Sequence, residues 1–562
     1  MIYIVLKVNM MEKRLFIFML SLTFFGMAAG QSSAHLFSLK DSVIGTSFVT
    51  GRQITATRYV TPEKIFRWQW DGSSDNLLLE LRESNKKGTS FKNGGTLNMI
   101  DLETKNVKWV RKVNYNTSEI KRHGTYYFLS EKKNNSSIDP ETGDLLWKNK
   151  CEYYYIDPSL NIGVGYPVQS MSDKLTAVDL SNGKTLWSEN VDRPFGWNDA
   201  YMLNDSMLMI SVNGIRALNL TNGSGWTYKA NTTKKEIGKM IGVNVFGIIL
   251  GILTGVYTYQ IQPDVASDMM SNILIDPDEN ILLASRDQIS RIDHSGNILW
   301  RMPLPEKITS KSSLFLVDSV VYMINRGHAQ YNGSFSLIGD PYLAAFDLNS
   351  GKQLYLTTIP EKKEFVRNYQ VINDLLFLVF EDKVASYSLM HGMFIKEKSF
   401  ELQKDEHLDG FVESGIYLKR NDAVFTELAA DFYNYNLMMT TDGRAFVLTD
   451  SLETFITYDR EDLFKKIINN HQYTFITNND SDFIVLDSSD NPLATFKALP
   501  DMFLHHDALY FFDDDSFWEI NPDQLYQSPS IWQSIFQCLS GYIPVGFTVP
   551  RSWPGNRAGW HK

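Results

Sequence analysis

The sequence predicts an all-β protein: a single β-propeller read as eight four-stranded blades, with seven and nine as neighbouring counts. Three observations carry that reading. A turn motif recurs along the chain at a spacing near 40 residues. The segments before each copy alternate apolar and polar residues, which is the period of a half-buried strand. Gly, Asp and Asn interrupt the chain every few positions, and this would break the helices of a helical solenoid of similar period.

The motif defines the unit. Asp139-Pro-Glu-Thr-Gly143-Asp-Leu-Leu-Trp147 recurs as Asp179-Leu-Ser-Asn-Gly183-Lys-Thr-Leu-Trp187. It recurs again as Asp293-His-Ser-Gly296-Asn-Ile-Leu-Trp300 and as Asp347-Leu-Asn-Ser-Gly351-Lys-Gln-Leu-Tyr355. Degenerate copies run from Asp101 to Trp109 and from Asn219 to Trp226, and weaker ones surround Gly392, Tyr458 and Phe496. The first four aromatics are spaced 38, 40 and 39 residues apart; later intervals reach 74, so some repeats carry insertions. Each residue type has a reason. Asp or Asn starts a turn because its side chain bonds the backbone ahead of it. Gly supplies the positive φ that lets a short loop reverse a hairpin. The Trp or Tyr that follows is large enough to wedge between neighbouring sheets. Upstream strands such as 272–275 and 374–380 bring the count to four per unit, a propeller blade. Residues from about 36 to 100 are expected to supply the first blade and a strand that closes the ring with the C-terminal strands.

The chain divides into a signal peptide at 1–30, a propeller at 31–525 and a tail at 526–562. Lys13 and Arg14 precede the apolar run from Leu15 to Phe25, and small residues from Gly26 to Gly30 suit cleavage after Gly30. An uncleaved membrane anchor is the alternative. Within the propeller, 235–268 reads as a hydrophobic helical insertion. Ile241 to Ile261 carry no charge, and Gly247, Gly251 and Gly255 gather on one helical face. Repeat motifs flank this segment on both sides, so a closed ring forbids it from crossing a bilayer. Packing on the propeller, dipping into a membrane surface and docking on an apolar partner stay open.

Composition excludes other classes. Lys+Arg 54 against Asp+Glu 65 gives a net charge of -11 without a long block of one sign, which argues against nucleic acid as a partner. Two cysteines, Cys151 and Cys538, are too few for a disulfide scaffold or a four-thiolate metal site. In an oxidising compartment they can pair; otherwise they are two buried thiols.

An aliphatic strand, Asp, two variable residues, Thr/Asn/Ser-Gly-Lys and then Trp resembles the repeat of the pyrroloquinoline-quinone-type (quinoprotein alcohol-dehydrogenase-like) β-propellers. The likeness covers roughly residues 95 to 500, with several copies in register. It implies either a calcium- and quinone-dependent dehydrogenase or a non-enzymatic propeller, such as those that assist outer-membrane protein assembly. The dehydrogenases typically carry adjacent cysteines near the cofactor, and this chain has no such pair. Trp147, Trp187 and Trp300 all stand at the structural position of the repeat, where blade packing outweighs cofactor stacking.

No other motif supplies chemistry. Asp276-Pro-Asp278-Glu-Asn280 begins like a calcium loop but has Ile281 at its sixth position, so it reads as a turn. Asp513 to Asp515 read as a solvated hairpin tip, and His505 and His506, adjacent on a strand, should point to opposite faces. There is no phosphate-cradling loop, HExxH or G-x-S-x-G. The sequence therefore predicts an exported, periplasmic or cell-envelope propeller. It would bind or scaffold without catalysis or cofactor, and its partner would be an envelope or membrane-associated protein. A quinone- or metal-dependent oxidoreductase and a glycan- or peptide-binding propeller are the alternatives.

Overall fold

The computed structural model describes residues 36–521 apart from 89, 169–171, 194–196, 198, 213, 231–269, 332–333, 361–363, 422–423, 429–434, 470–471, 479–480 and 507. The expected signal peptide, the insertion at 235–268 with Ile241 to Ile261, and the tail with Cys538 lie outside the described residues. Among those residues, no helix is long and apolar enough to cross a membrane.

Two N-terminal strands, β1 (Ser38–Ser47) and β2 (Gln53–Val60), pair as a hairpin. The chain then runs through nine sets of four antiparallel strands, each paired to the one before it. These blades occupy 64–114, 118–149, 151–190, 199–228, 274–303, 312–358, 368–399, 408–458 and 463–497. Blade 6 carries an extra hairpin, His328–Tyr331 with Ser334–Leu337, between its second and third strands. Blade 8 carries one, Ile416–Asn421 with Val424–Glu427, between its first and second, and this hairpin pairs with the first strand of blade 9.

Blade 10 is composite. Its first three strands are Met502–His505, Ala508–Phe512 and Ser516–Ile520, and its fourth is β2, with Thr57 opposite Glu519 and Val60 opposite Ser516. The other N-terminal strand, β1, pairs with the fourth strand of blade 9 through Gly45, Thr46 and Ser47. The two ends of the chain thus share hydrogen bonds, which removes the open sheet edge a ring would otherwise leave. The N-terminal closing strand expected from the sequence is β2.

A core cluster fills every blade-to-blade junction. Leu78, Trp109 and Leu129 pack blade 1 on blade 2, and Phe128, Trp147 and Leu180 pack blade 2 on blade 3. The succession continues to Phe475, Phe496, Leu509 and Phe511 between blades 9 and 10. Leu79, Phe503, Tyr510 and Phe512 then join blade 10 back to blade 1, so the ring is closed.

The propeller of four-stranded blades is present as the sequence predicts, and the described residues form ten blades, more than the eight expected. Each of the nine turn copies is the hairpin between the third and fourth strands of its own blade. The tenth blade has no such copy because its fourth strand comes from the far end of the chain, beyond the reach of any local motif.

Candidate functional site

Every blade from 1 to 9 places a positive-φ residue in the turn before its fourth strand: Lys105, Gly143, Gly183, Gly223, Gly296, Gly351, Gly392, Leu452 and Asp490. The turn's Asp closes it, as when Asp179 accepts the Gly183 N–H on its carbonyl and the Ser181 N–H on its carboxylate. The hydrogen bond from the Ser181 hydroxyl, backed by that N–H, holds the Asp179 carboxyl below its ordinary range, and Ser350 does the same for Asp347. Asp139 and Asp293 accept the N–H groups of Glu141 and Ser295 in their own turns.

The turns then receive the aromatics of the preceding blade. Trp147 Nε1 donates to the Leu180 carbonyl at 2.8 Å, and a Cβ added to Gly183 would stand 2.6 Å from the Trp147 ring. Trp187 does the same to the Leu220 carbonyl and Gly223, Trp300 to the Leu348 carbonyl and Gly351. Trp109 docks beside Gly143 and Trp226 beside Gly296, while the Tyr355 hydroxyl donates to the Leu389 carbonyl beside Gly392. Glycine is required here twice over, by its φ and by the indole lying on it. Sequence reasoning placed the glycines in turns and the aromatics between blades; the structure brings the two together across the six junctions from blade 1 to blade 7. In blades 7 to 9 strand register puts Lys396, Ile456 and Ala494 at the docking position, so the weak copies around Gly392, Tyr458 and Phe496 carry no aromatic there. Lys396 reaches Glu453 of blade 8 at 3.6 Å, a polar stand-in for the docked ring.

A second feature was not read from the sequence. In most blades a β-bulge falls beside the docking residue, so two residues of the fourth strand oppose one of the third. The docking residue turns to the next blade, and the extra residue is forced outward. In blades 2, 3 and 5 to 8 that residue is Leu146, Leu186, Leu299, Leu354, Ile395 or Phe455, and all six are exposed; in blade 1 it is Lys108, which pairs with Glu141 of blade 2 at 2.7 Å. In blade 9 its counterpart Leu493 is half-buried, its carbonyl accepting the Phe48 N–H from the turn after β1. Blade 7 presents the broadest group, with Met390, Met393 and Phe394 exposed by 68%, 60% and 55% beside Ile395. The signal available was the recurring aliphatic just before the aromatic, which alternation places on the face opposite the docked ring.

The third feature lies where the ring closes. Trp68 stacks on Phe512 at 4.4 Å and Trp70 on Phe503 at 4.1 Å. Lys105 of blade 1 pairs with Glu519 of blade 10 at 2.9 Å, and Tyr59 of β2 donates to the same carboxylate. At the edge of this seam stand Asp75, His505 and His506. The expectation that the two histidines point apart does not hold: the strand ends at His505, and His506 adopts a positive φ of 43°. That turn folds its ring back to a centroid distance of 4.1 Å from His505. The acidic tip is not free either. Asp515 pairs with Arg58 of β2 at 2.6 Å and Asp514 with Lys64 of blade 1 at 2.7 Å, tying the tip to the closing strand and to the neighbouring blade.

The remaining candidates are occupied by structure. Asp276 accepts the N–H groups of Asp278 and Asn280 and pairs with the buried Arg291 at 2.6 Å, so it is a turn as read. Cys151 is a buried free cysteine whose thiol pKa is pushed up by burial; Cys538 lies outside the described residues. A cleft between blades 8 and 9, lined by Asp442, Arg460 and Lys465 among others, holds about 190 Å³, below the several hundred Å³ usual for a cofactor pocket.

Residues 92–243 match the family model described as outer membrane protein assembly factor BamB, a span that includes the first four docking tryptophans. Over that span the repeats match the pyrroloquinoline-quinone type that the sequence resembles. Among solved structures, BamB from Moraxella catarrhalis is 13% identical, with 75% of this chain and 94% of that one covered at a TM-score of 0.27. The C-terminal WD40 domain of Sif2 is 10% identical over 73% of this chain and 98% of its own, at a TM-score of 0.30. Sqt1 of Saccharomyces cerevisiae is 10% identical over 82% and 100%, at 0.28. No curated protein matches the sequence.

Proposed function

We propose that this protein is an exported, envelope-resident propeller that binds other proteins as a scaffold and catalyses no reaction. The observation that carries the reading is the row of apolar side chains held outward at the bulge position, broadest at blade 7. Single exposed aliphatics are ordinary, whereas a clustered apolar group such as Met390, Met393, Phe394 and Ile395 marks an interaction site. Methionine and phenylalanine are the side chains that adapt to, and anchor, a protein partner. In blade 9 the chain covers the equivalent position with its own N-terminal hairpin. The match of residues 92–243 to an assembly-factor family supports the same class of role. The apolar run after Lys13 and Arg14 supports export.

The tryptophans that would floor a quinone are committed to the docking ladder, with their Nε1–H groups spent on the next blade's carbonyls. The scaffold reading uses no cofactor. Its test is a titration of the purified protein with pyrroloquinoline quinone and calcium, followed by absorbance, together with dye-linked alcohol oxidation. The reading expects neither a saturable cofactor spectrum nor turnover. Both together would overturn it in favour of the oxidoreductase.

A further inference from the structure

We propose that Asp75, His505 and His506 form a binding site for one borderline divalent transition ion, with Zn²⁺ as its natural representative, and that the ion staples the closing seam of the ring. Asp75 precedes the second strand of blade 1, and the histidines sit at the turn between the first two strands of blade 10. The two turns are 430 residues apart in the chain and meet only because the ring closes.

The geometry fits such an ion. His505 Nε2 lies 2.7 Å from Asp75 Oδ1 and His506 Nε2 lies 3.8 Å from the same oxygen, with one ligand atom from each residue within 4.8 Å of the others. A tetrahedral zinc with bonds of roughly 2.0–2.1 Å separates its ligand atoms by about 3.3 Å, between those two distances. The ion would therefore need only small side-chain movements. Two imidazoles and one carboxylate also favour this class over calcium or magnesium, which prefer oxygen donors throughout.

The surroundings separate a built site from a chance encounter. His505 is buried, its side chain only 6% exposed, and packs edge-on against Trp70 at 5.4 Å. Asp75 is anchored through its carbonyl, which accepts the Leu102 N–H at 2.7 Å. His506 is 67% exposed, so ions have access, and its positive φ is what aims the ring at Asp75. Without the ion, a His505 Nε2–H donates to Asp75. Binding replaces that proton, which leaves to solvent or moves to Nδ1. Three protein ligands leave a fourth position for water or for a donor from a partner.

The experiment is calorimetric titration of the full chain, stripped with chelator, with ZnCl₂, and with CaCl₂ as control. The proposal expects one equivalent of Zn²⁺ bound, no comparable calcium binding, and at least a tenfold loss of affinity in His506→Ala and in Asp75→Asn. At saturation the ion should raise Tm by on the order of 2–5 °C in the parent protein and by much less in the two variants. Circular dichroism confirms that both variants fold; the exposed histidine and the isosteric amide make this the expected outcome. Absence of stoichiometric binding would overturn the proposal. Equal binding by parent and both variants would do the same, leaving an adventitious ion only.

Discussion

Alanine at Gly183 should destabilise the ring far more than alanine at a turn glycine outside the docking ladder. Gly183 has φ 73°, and an L-residue there costs about 1 kcal/mol in backbone strain. Its added Cβ would stand 2.6 Å and 2.7 Å from two ring carbons of Trp147, and displacing a packed indole costs a further 1–3 kcal/mol or so. A shifted ring also weakens the bond from Trp147 Nε1 to the Leu180 carbonyl, about 1 kcal/mol. The sum is about 3–5 kcal/mol. Gly124 is the control, with φ 58° and nothing within 4 Å of its added Cβ, so Gly124→Ala should cost only about 1 kcal/mol. Urea unfolding followed by far-ultraviolet circular dichroism measures both. In a Trp147→Ala background, Gly183→Ala should fall to the cost of the control, because the obstructing ring is gone. Equal losses for Gly183→Ala and Gly124→Ala in the parent protein would refute the docking argument and leave the glycine as a turn residue alone.

Trp187→Ala should cost about 3–5 kcal/mol, since it empties a buried site and strands the Leu220 carbonyl, whereas Tyr355→Phe should cost about 1 kcal/mol; thermal or chemical unfolding separates them. Asp276→Ala leaves Arg291, with a side chain only 7% exposed, to Asp278 alone, and should lower stability by about 3 kcal/mol in the same assay. The paired hydrogen bonds from Arg444, at 2.9 Å and 2.5 Å, hold the Glu406 carboxyl down at about 2 from an ordinary 4.5. A depressed carboxyl stabilises the fold above its unfolded value, so about 2 kcal/mol should be lost as pH falls from about 4.5 to about 2, and Glu406→Gln should flatten that part of the stability–pH curve.

The blade was legible in the sequence because its turn is made of residues with few substitutes. Asp179 and Gly183, or Asp347 and Gly351, mark the turn before the fourth strand, where a positive φ and a capping carboxylate recur at fixed spacing. Closure by an N-terminal strand was expected, but its register and partner residues were not legible. β2 pairs with residues 516–519, and no local pattern announces a partner more than 400 positions away. Blades 7 to 9 were legible only faintly, since Lys396, Ile456 and Ala494 stand where a docked aromatic belongs. The rim was hidden for another reason: alternation turns Leu186 away from the docked Trp187, but no spacing shows that this side of the strand is left uncovered. His506 was misread because a strand period was carried one residue past the strand's end. Positive φ at a non-glycine residue leaves no signature that spacing can reveal.

The scaffold reading is tested most directly by photocrosslinking in the intact cell envelope. A photoreactive phenylalanine analogue at Phe394 or Met390 in blade 7 should yield a discrete protein adduct. The same group at Lys112, an exposed position on the fourth strand of blade 1, should not. The adduct at Met390 should also disappear when Met393→Asp and Phe394→Asp are introduced together with parental Tm retained. No adduct at either blade 7 position, or an identical pattern at Lys112, from protein expressed at parental level would contradict a partner-binding rim.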